Sequence, residues 1–169
     1  MGKVIQGVIF LILIGGVGVG AKLFVFDPIK KDKELQDRKK TITTHFNAGE
    51  HQKAIDVCDA IVQDYPKQKS SINNRKFGIY IAWANKSHDE SMEAARQASK
   101  AKRARDRSAY DHAVEQKKAS ARTILMCIKE ADACGEIEKV HQQWRSIAYG
   151  TLGDNEKARD AMKRQSTMD

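Results

Sequence analysis

Five histidines and three cysteines are the residues of this chain best suited to hold a metal or to act as nucleophiles, and their spacing favours neither role. His45, His51, His88, His112 and His141 include no pair three or four residues apart, which is what places two imidazoles on one helical face for a shared ion. Cys58, Cys127 and Cys134 form no C-x-x-C, so a redox pair, a zinc knuckle or a covalent haem is not signalled. All three fall on or beside apolar stripes, where a thiol behaves as a small hydrophobe. The glycines at 15, 16, 18 and 20 lack the Gly-Lys-Ser/Thr ending of a phosphate loop. Glu130, Asp132, Glu136 and Glu138 read as a small solvated acidic face, or as an intramolecular partner for the basic run from Lys100 to Arg107. We therefore expect no catalytic residue, no cofactor and no metal. The strongest charged candidate is the run from Lys100 to Arg107, in which Lys100, Lys102, Arg103, Arg105 and Arg107 accompany a single acid. Cations at a helix C-terminus complement the helix dipole, so the run has a purely structural reading. Its functional reading is contact with an acidic partner or with anionic lipid headgroups.

The elements that must position these residues are helical by composition. The chain has 169 residues, with only Pro28 and Pro66 to interrupt it, and Ala, Lys, Gln, Glu and Arg crowd the part beyond residue 30. No sheet is expected. Lys3 and Lys22 are the only charges before Asp27, so the rest of the chain carries +6 of the formal +8. Acids and bases are mixed along it, and aromatic residues make up 7% and fall mostly on apolar stripes, which disfavours a nucleic-acid partner.

From Val4 to Phe26 the sequence is apolar apart from Gln6 and Lys22 near its two ends, long enough for the roughly 20 residues that span a bilayer. Lys22 can reach the headgroups while its methylenes stay in lipid. The stretch exceeds the roughly 7 to 15 apolar residues of a cleaved signal peptide, so residues 1–26 are expected to form a single-pass transmembrane anchor. Gly16 and Gly20 lie one turn apart on one face, where a neighbouring helix can approach closely. Orientation signals oppose one another. Lys22, Lys30, Lys31, Lys33, Arg38, Lys39 and Lys40 outnumber Lys3, which by the positive-inside rule keeps the remainder of the chain in the cytoplasm. A short basic head, one apolar run, a glycine patch and an acidic exit at Asp27 are similar to the uncleaved anchors of exported bacterial envelope proteins. The exported, periplasmic side is the reading adopted, with the cytoplasmic side as its alternative.

Asp27-Pro28 is a helix start, and the polar stretch to residue 48 reads as a stalk helix leading into a helical domain over 49–169. Ala54, Ile55, Cys58, Ile61, Val62 and Tyr65 follow the rhythm of a buried stripe that Pro66 ends. Ser71 to Lys86 predicts a third helix with Ile72, Phe77, Ile79, Tyr80 and Trp83 inside. Ser87-x-x-Glu90 predicts a cap opening a fourth, and Ser108-x-x-Asp111 a cap opening a fifth that runs to Gly135. His141, Trp144, Ile147 and Ala148 mark a sixth, and Ala158, Ala161 and Met162 a seventh. Short turns between successive helices make neighbours antiparallel, giving an all-α stack of about seven helices, an α-solenoid.

Two stretches resemble tetratricopeptide repeats. His45-x3-Gly49-x4-Ala54-x3-Cys58, with Pro66 twelve residues after Ala54, keeps that motif's spacing of turn glycine, helix-crossing alanine and closing proline. Tyr149-x3-Gly153-x4-Ala158 repeats the first part of it. A middle copy keeps Ala94 and Ala101 but lacks the glycine, and the Trp-Leu-Gly start is missing throughout. The resemblance implies protein binding on a concave face. Joined to the anchor, it implies an interaction module that serves as an accessory or scaffolding subunit, with other membrane-complex subunits as partners. A membrane-tethered assembly factor or chaperone that receives clients transiently is the alternative.

Overall fold

A computed structural model describes residues 27–135 and 139–168. The expected anchor, with Gly16 and Gly20, lies outside the described residues. Among those described, no helix is long and apolar enough to cross a membrane.

The described chain is all-α. Six α-helices follow one another: α1 (Asp27–Asn47), α2 (His51–Asp64), α3 (Lys69–Ala104), α4 (Arg107–Cys134), α5 (Lys139–Leu152) and α6 (Asn155–Ser166), with one 3-10 turn at Pro66–Gln68. Seven helices were expected, and the difference is α3. No glycine or proline lies between Gly78 and Ala104, and Ser87 is buried in mid-helix instead of capping a new one, so the expected third and fourth helices are a single rod. The next boundary also moves. Asp106, not Ser108, caps α4, its carboxylate accepting from the Ala109 amide at 3.0 Å.

The two turns singled out by spacing share one backbone geometry. Gly49 has φ +74° and Gly153 φ +85°, values that a side chain rarely tolerates. The Glu50 amide donates to the His45 carbonyl at 2.9 Å, and the Asp154 amide to the Tyr149 carbonyl at 2.9 Å, the six-to-one bond of a Schellman turn. The following helices then open with Ala54 donating to Glu50 and Ala158 to Asp154. Ala54 is fully buried and Ala158 nearly so, the small side chains allowing close approach of their helices.

Each helix packs chiefly on its neighbours in sequence. One core joins Leu35 and Ile42 of α1, Ile55, Cys58 and Ile61 of α2, Ile72, Ile79, Tyr80 and Ala84 of α3, and Cys127 and Ala131 of α4. Leu35 and Ile42 thus bring the polar α1 into the core. A second core holds Ala121, Ile124 and Ile128 of α4 against Ala148 of α5, and Trp144 touches both. Two residues expected inside lie outside: Ile147 is 41% exposed and Met162 59%. They sit on the last two described helices, on faces that no other described helix covers.

Candidate functional site

The expected contact residues come together at one end of the molecule. Lys102 and Arg103 are on the last turn of α3, Arg105 and Asp106 form the two-residue joint, and Arg107 begins α4. Lys100, Lys102, Arg103, Arg105 and Arg107 are all exposed. Arg107 lies 3.9 Å from Asp111, while Lys100, Lys102, Arg103 and Arg105 have no ion pair among the described residues. Ala101, Lys102, Arg105, Asp106, Arg107 and Tyr110 line a shallow depression of about 300 Å³. Arg105 has φ +56°, the only non-glycine residue with positive φ among the described residues.

How far this tip stands from the core was not read from the sequence. Past Tyr80 and Ala84, α3 turns Ser87, Ser91, Ala94, Ala98 and Ala101 inward at alternating steps of three and four, while Ala113, Lys117, Ser120 and Ile124 face them from α4. Ala98, Ala94, Ser91 and Ser87 stand as far before the Arg105–Asp106 joint as Ala113, Lys117, Ser120 and Ile124 stand after it, so α3 and α4 pack as an antiparallel coiled-coil hairpin with a seam mostly of alanine and serine. Large apolar side chains fill the seam only at its base. The hairpin beyond is a slender arm that carries the cations at its end.

A second feature lies beside the core. The Arg75 guanidinium donates to the Lys39 carbonyl at 3.1 Å, Ile42 and Phe46 stand level with Gly78 and Ile79, and Gly49 is next to Lys86. α1 and α3 therefore run side by side in the same direction. Between them Ile42, Thr43, Phe46, Asn74, Arg75, Gly78 and Ile79 line an open, mostly apolar groove of about 380 Å³. Gly78 contributes by omission: a methyl group there would meet nothing within 4 Å.

The residues suited to chemistry are dispersed. His45 Nδ1 lies 2.6 Å from Glu50 and His112 Nε2 lies 3.0 Å from Gln116. His51 is buried between Phe46 and Trp83, at ring distances of 5.8 and 5.7 Å. Burial, with Lys86 adding to it, lowers the pKa of His51 and keeps the ring neutral. Among the described residues its Nδ1 has no hydrogen-bond partner. Asp132, expected on an acidic surface, is instead largely buried: its carboxylate takes His141 Nδ1 at 2.8 Å and the Arg145 guanidinium, tying the end of α4 to α5. Glu136 and Glu138 of that expected surface lie outside the described residues. Burial pushes the Cys58 thiol up to about 11 and the Cys127 thiol up to about 12. Neither supplies a thiolate near neutrality. Among the described residues no three His, Cys, Asp or Glu side chains converge on a point where an ion could sit.

Compared with protein-family models, with curated proteins and with solved structures, the chain matches none.

Proposed function

We propose that this chain is a membrane-anchored protein–protein interaction module: a transmembrane helix within residues 1–26 followed by a tetratricopeptide-like α-solenoid, acting as an accessory or scaffolding subunit of a larger membrane complex. The observation that carries the reading is the groove between the parallel helices α1 and α3. A solenoid of helical hairpins builds such a surface wherever the first helices of successive hairpins stand side by side, and a partner's segment can lie along it. Ile42, Phe46 and Ile79 offer apolar contact, and Arg75 and Asn74 supply donors at the rim. The shared geometry of the turns at Gly49 and Gly153 supports the same architecture.

The apolar run from Val4 to Phe26 supports the anchor, and Gly16 and Gly20 are the positions at which it would pack on a partner's helix. The test is purification of the full chain from native membranes in mild detergent, followed by a sizing column. A subunit retains its partners in a fixed ratio, and Phe46→Glu or the Gly16→Leu/Gly20→Leu pair reduces that retention. Partners that trail away at every ratio would favour the transient assembly factor. Full retention by all of these variants would refute the groove and the glycine face as contacts.

A further inference from the structure

The tip of the α3–α4 arm carries cations where folding does not call for them. Lys102 and Arg103 sit at a helix C-terminus, where positive charge is favourable. Arg105 and Arg107 are different. Arg105 occupies the left-handed region, which costs a residue with a Cβ on the order of 1 kcal/mol and which glycine or asparagine would fill more easily. Arg107 is the first residue of α4, where the helix dipole favours an acid. Asp106 between them accepts from the Ala109 amide, and Asp111 stands 3.9 Å from Arg107 at the exposed surface. Two of the five charges therefore work against the local fold, and four of the five have no ion pair among the described residues.

The arm also fixes where the charges stand. The Lys86 ammonium reaches the turn at Gly49, and the eighteen residues from Ser87 to Ala104 continue α3 by about 27 Å at the usual rise per residue. Because α1 and α3 run in the same direction, the tip lies at the opposite end of the molecule from Asp27, with a separation on the order of 50 Å. Attraction between exposed charges fades over roughly 10 Å in salt. Charges near Asp27 therefore do not act on the tip. Nucleic acid is disfavoured by the surroundings, since Tyr110 is the one aromatic residue at the depression and a stacking platform needs successive rings.

We infer that the tip of this arm is a docking knob for an acidic protein surface. The inference rests on the anchored-module reading and adds to it the second contact, its chemistry and its separation from Asp27. Lys100, Lys102, Arg103, Arg105 and Arg107 supply the charge, and the long hairpin supplies the reach.

The full chain, placed in nanodiscs of phosphatidylcholine or of phosphatidylglycerol, is titrated with a fluorescent all-glutamate peptide as a stand-in for the acidic surface. Arg103→Glu/Arg105→Glu is compared with Lys163→Glu/Arg164→Glu, which changes net charge equally at the end of α6. The tip pair weakens peptide binding about tenfold or more and flattens its salt dependence, while the α6 pair changes it little. Equal losses from both pairs overturn the inference, because the peptide then reads net charge alone. Displacement of the peptide by phosphatidylglycerol in the disc, or by a single-stranded oligonucleotide at lower concentration than free peptide, also overturns it. Retention of native partners is measured on the same variants. Loss of peptide and partner together supports the knob, whereas loss of peptide with full partner retention overturns it and leaves the groove reading standing. A wild-type chain that carries no fixed-ratio partner refutes the module reading itself, with peptide titration still deciding the charge of the knob.

Discussion

Replacing glycine by alanine should have opposite effects at Gly49 and Gly78, and the sign depends on backbone angle alone. At Gly49, with φ +74°, the added methyl would come no closer than 3.5 Å to the mobile end of Lys86, so steric contact is negligible. The left-handed conformation itself costs an L-residue about 1 to 2 kcal/mol. Restricting the unfolded chain returns about 0.4 to 1 kcal/mol, which leaves a net loss near 1 kcal/mol. Gly153, at φ +85° with nothing within 4 Å, should behave the same way. Gly78 lies in the interior of α3 with open space where a Cβ would go, and alanine there gains about 0.8 to 1 kcal/mol of helix propensity. For a chain of this size each kcal/mol moves Tm by about 2 to 4 °C, so Gly49→Ala and Gly78→Ala should melt about 4 to 8 °C apart, on either side of the parent. Far-UV circular dichroism of the full chain in mild detergent measures this. Shifts in the same direction, or a Gly49→Ala variant as stable as the parent, would refute the assignment of Gly49 to a left-handed helix stop.

Other expectations come from burial. Ala54 is fully enclosed between α2 and its neighbours, so Ala54→Leu should overpack that crossing and cost about 1 to 3 kcal/mol, seen as a lower Tm. Asp132 holds both His141 and Arg145, and Asp132→Ala should cost about 3 kcal/mol and loosen α5 and α6 first, seen as faster amide exchange there. The pKa of His51 is lowered in the folded chain, so as pH falls below the ordinary histidine value near 6.5 the unfolded chain takes up a proton that the folded chain refuses. Stability should be full above that value and decline beneath it, and His51→Gln should flatten the decline in denaturant titrations at a series of pH values. Burial raises the pKa of all three thiols, but Cys134 is partly exposed whereas Cys58 and Cys127 are buried, so iodoacetamide at mildly alkaline pH should mark Cys134 first by mass spectrometry.

What the sequence discloses of this fold is what neighbouring residues decide among themselves. Gly49 and Gly153 announce their turns because only glycine enters that conformation cheaply, and Pro66 ends α2 because it has no amide to donate. The stripe of Ile55, Cys58 and Ile61 is legible because one helix face must be apolar whatever covers it. Legibility fails where a second element decides. Ser87 has the composition of a cap, yet in α3 it is a small residue pressed against α4, and its size outweighs its hydroxyl. Asp132 looks solvated until α5 brings His141 and Arg145 against it. Ile147 and Met162 belong to stripes, but a stripe does not say which of its residues another element covers. The arm is the extreme instance. Alanine and serine give weak hydrophobic periodicity, because they contribute close approach of two helices more than burial of apolar area. Ser87, Ser91, Ala94 and Ala101 therefore look ordinary within α3, and so do Ala113 and Ser120 within α4. Their spacing becomes a seam only when both helices are counted outward from the joint at Arg105 and Asp106, and that joint is itself hard to recognise because an arginine stands where turn chemistry would ask for glycine.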